Sequence, residues 1–390
     1  MRFYHSIILA LVAGIVMGVL VPSWYPLFDP LGLLFIQSLK LIMIPLVYAS
    51  LVTGAVQLGQ SMQLGRLGLG SLVYFGVSSA AASVLGLLAI RIAQPGQWVA
   101  VSVESSVAMA NPVTPTVTDL LLRIVPDNPI QAIADGQMLS IIFMGLIFGL
   151  AIGKLGKKAE PMYAVIKSLG AIMTLVTRWV IAVSPLGIFA LMMKLVVTTG
   201  LETLVPLVGY MGVVMVALAV HALCVLPVIV SVLARRSPMA LARQQVSALI
   251  TAFSTATSSG ALPIVLESFT DPKEHRVASF VMPIGTTVNM NGTAVYVAGT
   301  VAFLAQYYGV ALGPSQYGIL ISLTVLSAVS AAGIPGSSLV TMSLALAALG
   351  IPLEGIGMIV AVDRVLDMSR TAVNVWGNAV ATVVMTRLAD

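Results

Sequence analysis

The chain alternates long apolar stretches with short polar connections, and this pattern predicts a bundle of membrane-spanning helices. A helix needs about 20 mainly apolar residues to cross a bilayer core of about 30 Å. Two apolar stretches, Val246–Phe269 and Tyr317–Ile351, are interrupted at mid-length by small residues and a proline. The uninterrupted stretches that predict spanning helices are Ile7–Val21, Pro30–Leu58, Gly68–Ile92, Gln137–Ile152, Ala171–Val196, Val205–Leu233, Val277–Gln306 and Gly355–Met385.

Each interrupted stretch contains a small, hydroxyl-rich turn between two apolar arms. The first turn is Ser254–Pro263 and the second is Ser327–Ser338. Because each arm is too short to span a bilayer, each stretch predicts a re-entrant helical hairpin. Ser258 and Ser259 in the first turn offer hydroxyls and backbone N–H groups to an anion, and Gly336 in the second lets backbone approach a ligand closely. We therefore predict an all-α polytopic membrane fold with eight transmembrane helices and two re-entrant hairpins.

Basic residues cluster in alternate connections and so orient the predicted helices. Pro22–Asp29 and Tyr307–Ser315 contain no Lys or Arg. Since basic loops face the cytoplasm, the N-terminus and the base of the first hairpin are predicted inside, and the base of the second hairpin outside. Two hairpins of opposite orientation, each followed by a polar spanning segment, are typical of an inverted repeat with a midplane substrate site. The basic residues are Arg66, Lys154, Lys157, Lys158, Arg235, Arg236, Arg243, Lys273 and Arg276.

The last apolar segment has a strongly polar face. At about 100° per residue, six polar positions fall within an arc of roughly 100°. Ionisable side chains are costly at membrane depth and usually face a protein interior or a watery cavity, so this face is the first candidate for a binding site. The alternative is a set of hydrogen bonds that only holds helices together. The six residues are Asp363, Asp367, Arg370, Thr371, Asn374 and Asn378.

Arg370 indicates which ligand this face would bind. A guanidinium donates two parallel hydrogen bonds to a carboxylate, and Asp367 lies one turn away. An amino acid with an extra carboxylate would match the pair: Asp367 would bind the ammonium, Arg370 the side-chain carboxylate, and Asn374 with hairpin backbone the α-carboxylate. The alternative is a purely structural Asp367–Arg370 ion pair.

The seventh segment has a second polar interruption, Asn289-Met290-Asn291-Gly292-Thr293. With Pro283 and Gly285 just before it, helical hydrogen bonding is expected to break there. The freed carbonyls and Asn289 would suit a small cation or polar substrate atoms. A simple kink is the alternative.

The composition supports a membrane protein and excludes several other classes. Of 390 residues, 59% are hydrophobic and 8% are charged, against about 25% charged in soluble domains. The net charge of +5 fits the positive-inside bias better than nucleic-acid binding. Cys224 is the only cysteine, and the three histidines have no metal-site spacing, so neither a disulfide framework nor a metal centre is expected. The first apolar stretch is predicted to be a retained helix.

Together these motifs resemble the dicarboxylate/amino acid:cation symporters, the glutamate transporter family. The resemblance rests on SSGALP in the first hairpin, NMNGT, AAGIPG in the second hairpin, DMSRTAVNVWGN, and KLIMIPLVYAS at Lys40–Ser50. It covers nearly the whole chain. It implies a bacterial-type proton/glutamate-aspartate symporter of the inner or plasma membrane, with no cofactor and no catalytic residue.

The resemblance also implies an elevator architecture in a homotrimer. Residues 1–66 and 94–200 would hold the scaffold helices (first, second, fourth and fifth) and an extracellular loop. Residues 67–93 and 201–390 would form the moving transport domain. Within it lie helix six, hairpins at about 240–272 and 315–352, helix seven at about 277–307 and helix eight at about 355–387, and the second hairpin would be the gate.

The resemblance assigns substrate and ion positions residue by residue. Sodium-site positions are matched by Asn289, Asn291, Asn374 and Asn378, and also by backbone oxygens near Gly285, Thr287, Val329 and Ala331. The positions that match substrate contacts are Ser258, Ser259, Thr293, Gly336, Asp367, Arg370, Thr371 and Asn374.

This chain departs from sodium-coupled members at charged positions. Those members have aspartate where this chain has Asn291 and Asn378, and often a tyrosine where it has Phe75. A site without its carboxylates binds a hard cation weakly, so a proton is the expected coupling ion. Family members often have an additional arginine near the substrate, at one of two positions that are Ala256 and Met368 in this chain. The glutamate that animal members use to carry a proton is also absent, because Val297 occupies its position.

Asp367, with one cationic neighbour fewer, is the leading candidate for the proton carrier, followed by Glu267 and Asp363. Three alternatives stay open: sodium coupling at reduced stoichiometry, transport of C4-dicarboxylates, and a channel or passive pore. Paired broken helices favour a transporter over a channel, whose filter usually repeats around an oligomer axis. An intramembrane hydrolase would need a Ser–His or Asp–Asp pair, which the motifs lack.

Overall fold

The computed structural model describes residues 2–63, 66–98, 125–135, 138–330 and 337–388, and across these ranges it is helical with no β-strand. The first seven α-helices are α1 (Arg2–Leu20), α2 (Tyr25–Gln63), α3 (Arg66–Ala93), α4 (Pro129–Ala134), α5 (Met138–Leu155), α6 (Glu160–Thr199) and α7 (Leu204–Val220). The others are α8 (Leu226–Ile229), α9 (Pro238–Thr255), α10 (Ser258–Ser268), α11 (Pro272–Val288), α12 (Asn291–Tyr307), α13 (Pro314–Ser330), α14 (Ser337–Ala348) and α15 (Gly355–Leu388).

Helix length and composition support a polytopic membrane protein. Four continuous helical runs in the described chain are long and apolar enough to cross a bilayer: Leu67–Gln97, Phe143–Val180, Leu204–Ala234 and Pro272–Tyr307. A bent pair, Leu9–Leu20 with Pro22–Ser38, makes a fifth if it forms one span, with a bend of 111°. Each of the eight predicted apolar stretches lies mainly in helix. The count of eight spans stays a prediction.

The first interrupted stretch forms two packed helices, α9 and α10. Their turn is shorter than the predicted Ser254–Pro263, because only Ala256 and Thr257 are non-helical. Ala256 ends α9 in the left-handed conformation, and the Thr257 hydroxyl accepts a hydrogen bond from the Gly260 N–H to begin α10. Pro263 therefore lies inside a helix, where its missing N–H removes one backbone hydrogen bond without ending the element.

The second interrupted stretch also forms two packed helices, α13 and α14. Its tip, residues 331–336, lies outside the described residues. The predictions for Ala331 and Gly336 fall on that tip. Val329 lies near the end of α13.

The predicted break in the seventh segment is confirmed. Helix α11 ends at Val288, two non-helical residues follow, and α12 begins at Asn291. Almost every residue of α12 is buried, because α3, α7 and α15 pack around it. One core therefore surrounds the broken helix and includes the stacked rings of Tyr210 and Phe303, whose centroids are 4.6 Å apart.

Candidate functional site

The predicted polar face of α15 is buried and centred on one guanidinium. Arg370 donates from Nε and Nη2 to Asp367 Oδ1, at 3.1 and 2.9 Å, and from Nη1 to Asp363 Oδ1 at 3.2 Å. The Arg370 side chain is 2% exposed. Its guanidinium carbon lies 4.3 Å from the centre of the Tyr296 ring, a cation–π geometry. The two carboxylates and the aromatic ring hold the cation on the side of α15 that faces α12.

Arg370 keeps part of its donor capacity in this arrangement. A guanidinium has five N–H groups, and the contacts to Asp363 and Asp367 use three of them. One N–H remains on each terminal nitrogen, and together these form the fork that binds a carboxylate bidentately. The Asp367–Arg370 ion pair that was the structural alternative is therefore present, and it uses only part of the donor capacity of the guanidinium.

Asn374 holds the beginning of α12. Its Oδ1 accepts hydrogen bonds from the backbone N–H groups of Gly292 (2.8 Å) and Thr293 (3.2 Å), and its Nδ2 donates to Thr293 Oγ1 (3.1 Å). Met290, at the N-cap position, provides no side-chain cap, so α15 supplies it. A Cβ at Gly292 would lie 2.3 Å from the Arg370 carbonyl oxygen, so this contact requires glycine.

Three further buried asparagines, Asn289, Asn291 and Asn378, occupy predicted cation positions. Asn289 Nδ2 donates to Asn378 Oδ1 at 2.9 Å, and Asn291 Nδ2 donates to Ser78 Oγ at 2.8 Å. The Oδ1 atoms of Asn289 and Asn291 and the Nδ2 of Asn378 have no protein partner in the described structure. Amide hydrogen bonds thus make contacts where sodium-coupled relatives are expected to have carboxylates and a cation.

The sequence interpretation overlooked two residues of α3, Ser78 and Tyr74. Ser78 of α3 bonds to Asn291, and Tyr74 lies one turn earlier on the same face with a buried hydroxyl. Phe75, the position compared with a family tyrosine, packs instead into an apolar cluster. The i, i+4 spacing of Tyr74 and Ser78 in an apolar helix was the available signal.

The remaining predicted site residues differ in their burial and contacts. Ser258 is buried and Ser259 exposed at the start of α10. The Thr371 hydroxyl donates to the Asp367 carbonyl at 2.7 Å. Glu267 is exposed near the end of α10. Among the predicted site residues, the structure thus brings those at the beginning of α12 together with those on the polar face of α15.

Residues 3–388 match the sodium:dicarboxylate symporter family. The chain belongs to this family. It is therefore related to transporters and not to enzymes. It is 35% identical to the proton/glutamate-aspartate symporter of Escherichia coli over 98% of this chain and 92% of that one. It is 34% identical to the proton/sodium-glutamate symport protein of Geobacillus stearothermophilus, covering 98% and 93%. It is 29% identical to the C4-dicarboxylate transport protein of Deinococcus radiodurans, covering 98% and 88%.

Proposed function

We propose that this symporter imports acidic amino acids, L-aspartate and L-glutamate, across the cell's inner or plasma membrane. The observation that carries the proposal is a buried arginine with two donors left, held between Asp363 and Asp367. The free fork would bind the side-chain carboxylate, and Asp367 would bind the ammonium. Ser258, Ser259, Thr293, Thr371, Asn374 and the second hairpin tip at Gly336 would complete the site. Two relatives named for glutamate transport support this substrate class.

The proposed coupling ion is the proton. Asn291 and Asn378 provide neutral amides where a negatively charged cation-binding site would need carboxylates. Both amides already form hydrogen bonds: Asn291 donates to Ser78, and Asn378 accepts from Asn289. A neutral site pays most of the dehydration cost of a hard cation without charge compensation. Asp367 and Asp363 are the proposed proton carriers, ahead of Glu267, which is exposed. Sodium coupling at reduced stoichiometry, through backbone oxygens near Thr287, Val329 and Ala331, is the second candidate.

We also propose an elevator mechanism in a homotrimer, with a cytoplasmic N-terminus. Residues 1–66 and 94–200 would form the scaffold, and 67–93 with 201–390 the transport domain. The packed pairs α9–α10 and α13–α14, each followed by a helix of the site, support the inverted repeat on which this proposal depends. The basic connections support the orientation.

Substrate binding is tested by Arg370→Lys and Arg370→Gln in proteoliposomes, using counterflow of labelled aspartate. Lysine retains a charge for Asp363 and Asp367 but lacks the planar fork, so it controls for loss of the buried charge. Both variants should bind aspartate at least about 30-fold more weakly, the ratio for about 2 kcal/mol. A folded variant with the parent's aspartate affinity would disprove the role of Arg370.

The same counterflow measurement distinguishes the competing functions. Saturable counterflow excludes a channel or passive pore, which cannot exchange labelled for unlabelled substrate against a gradient. The relative named for C4-dicarboxylate transport favours succinate as the competitor to compare with aspartate. Because succinate has no ammonium to compensate the charge of Asp367, we expect aspartate to compete much better than succinate.

A further inference from the structure

An apolar cavity of about 500 Å³ lies on the side of α15 away from the candidate site. It lies between the sixth apolar segment, the first hairpin and α15. Its lining includes Ala222 and Pro227 of the sixth segment, Met239 and Ala242 of α9, and Val373 and Trp376 of α15. Its size falls within the range of about 300–1,000 Å³ of small-molecule pockets. We call it the back groove.

The back groove is geometrically linked to the binding face. At about 100° per residue, Trp376 lies roughly 170° and Val373 roughly 110° around α15 from the centre of the polar arc. The Trp376 Nε1 donates to the Ala222 carbonyl oxygen at 3.1 Å, which joins α15 to a π-helical turn, His221–Val225. An occupant of the groove would therefore support α15 directly behind its substrate-facing residues.

Charge at one end of the back groove limits what the occupant can be. Ser237 and Pro238 line the groove at the beginning of α9. Arg235, two residues before Ser237, and Arg243, next to Ala242, are both exposed, and neither has an acidic partner in the described part of the chain. Arg236, which lies between them in sequence, is paired with Glu274. An apolar groove with two uncompensated guanidinium groups beside it complements a molecule with a hydrocarbon chain and an anionic head.

We propose that the back groove binds one acyl chain of an anionic phospholipid, with the phosphate at Arg235 and Arg243. The predicted orientation places these arginines on the cytoplasmic side, where anionic lipids attract basic residues. The lipid would fill hydrocarbon-lined space that water occupies unfavourably. It would thereby stabilise α15 against the first hairpin.

Trp376 reports occupancy directly. Replacing Trp24, Trp98 and Trp179 by phenylalanine leaves it as the sole tryptophan, 6% exposed, in proteoliposomes containing dibrominated phosphatidylglycerol or dibrominated phosphatidylcholine. Bromine quenches by contact, so a chain in the groove should quench Trp376 saturably. Half-maximal quenching should need less phosphatidylglycerol than phosphatidylcholine, by about fivefold for each arginine.

Two variants and the control lipid make the experiment decisive. Arg235→Gln with Arg243→Gln should remove the preference for phosphatidylglycerol while leaving aspartate counterflow measurable. Ala242→Phe should fill the groove and abolish quenching by both lipids, with folding checked by thermal unfolding. Quenching that is linear in bromolipid, equal for both headgroups, or unchanged in the charge variant would overturn the proposal. A groove covered by protein would give no quenching in the parent, and this result would also overturn it.

Discussion

At the scale of single residues, Ala256 of the first hairpin has a backbone conformation that is unusual for a non-glycine residue. It is buried at the tip of the first hairpin with φ of 50° and ψ of 40°. This left-handed conformation costs an L-amino acid roughly 1–2 kcal/mol, and glycine adopts it freely. Strained residues of this kind concentrate at functional sites. The strain fixes where α9 ends and hence where Ser258 begins α10.

Ala256→Gly should therefore stabilise the protein, by about 0.5–1 kcal/mol after glycine's greater unfolded-state entropy is subtracted. Thermal unfolding in detergent measures it. The matched control is Ala248→Gly in the middle of the same helix, which should destabilise by about 1 kcal/mol. If Ala256→Gly destabilises as much as the control, the left-handed conformation at this position is wrong.

At the scale of elements, the broken seventh segment depends on a cap from another helix. Asn374 of α15 accepts hydrogen bonds from two backbone N–H groups in the first turn of α12. Removing such an acceptor leaves buried donors unsatisfied, at about 1–3 kcal/mol. Asn374 thus has a structural role in addition to its proposed contact with the substrate α-carboxylate.

The two roles of Asn374 are separated by Asn374→Ala and Asn374→Asp. Aspartate keeps an acceptor at a helix N-terminus, where negative charge is favourable, so it should retain most of the stability that alanine loses. Both variants should bind the substrate more weakly, because an alanine side chain has no amide and an aspartate side chain would repel the substrate α-carboxylate. Thermal unfolding and counterflow report the two effects. Equal stability of the alanine variant and the parent would show that the cap contributes nothing.

Local sequence patterns predicted where these elements begin and end better than they predicted the contacts between them. Pro283, Gly285 and the NMNGT run were sufficient to predict a break, because the backbone chemistry that causes it is local. The cap could not be predicted, since Asn374 lies 81 residues from Thr293. Nor could the pairing of Arg370 with Asp363, seven residues away, because helical spacing gives a shared face but not the side-chain orientation. The hairpin turn was predicted too long because Thr257 supplies its own cap.

The asparagine cluster gives an element-scale prediction about ions. Asn378→Asp would bury a carboxylate beside Asn289 and close to Gly285, where a Cβ would lie 2.7 Å from Asn378 Oδ1. An isolated buried charge is costly, so the variant should be less stable than the parent in choline. Sodium should then stabilise it by ligand linkage, about 2.7 kcal/mol at 100 times the dissociation constant.

Thermal unfolding of Asn378→Asp in sodium and in choline chloride at equal ionic strength tests this prediction, with Asn378→Ser as the neutral control. Neither the control nor the parent should respond to sodium. A parent that sodium stabilises as strongly as the variant would instead support residual sodium binding by the neutral oxygens of the native site.

At the scale of the whole molecule, charge determines what must accompany the substrate. Asp363, Asp367 and Arg370 sum to one negative charge, and the three asparagines add none. An acidic amino acid at neutral pH adds another. Moving each charge against a membrane potential of 100 mV, negative inside, costs about 2.3 kcal/mol. Import therefore requires cations to travel with the substrate. Because the asparagines are neutral, the negative charge that these cations must balance is that of the site's carboxylates and of the substrate.

Uptake should accordingly be driven by an inward proton gradient and should be largely indifferent to sodium. Asp367 has to be charged to bind the ammonium, so a proton on it would compete with substrate; Asp363, which shares Arg370, can be neutralised without losing that contact. Proteoliposomes with separately imposed proton and sodium gradients, in sodium or choline and at several pH values, measure the coupling. Asp363→Asn and Asp367→Asn identify the carrier. If Asp363 carries the proton, Asp363→Asn should retain counterflow but lose acceleration by the proton gradient, whereas Asp367→Asn should weaken counterflow itself because it removes the proposed ammonium ligand. Uptake that depends steeply on sodium and not on pH would refute proton coupling and favour a reduced sodium stoichiometry.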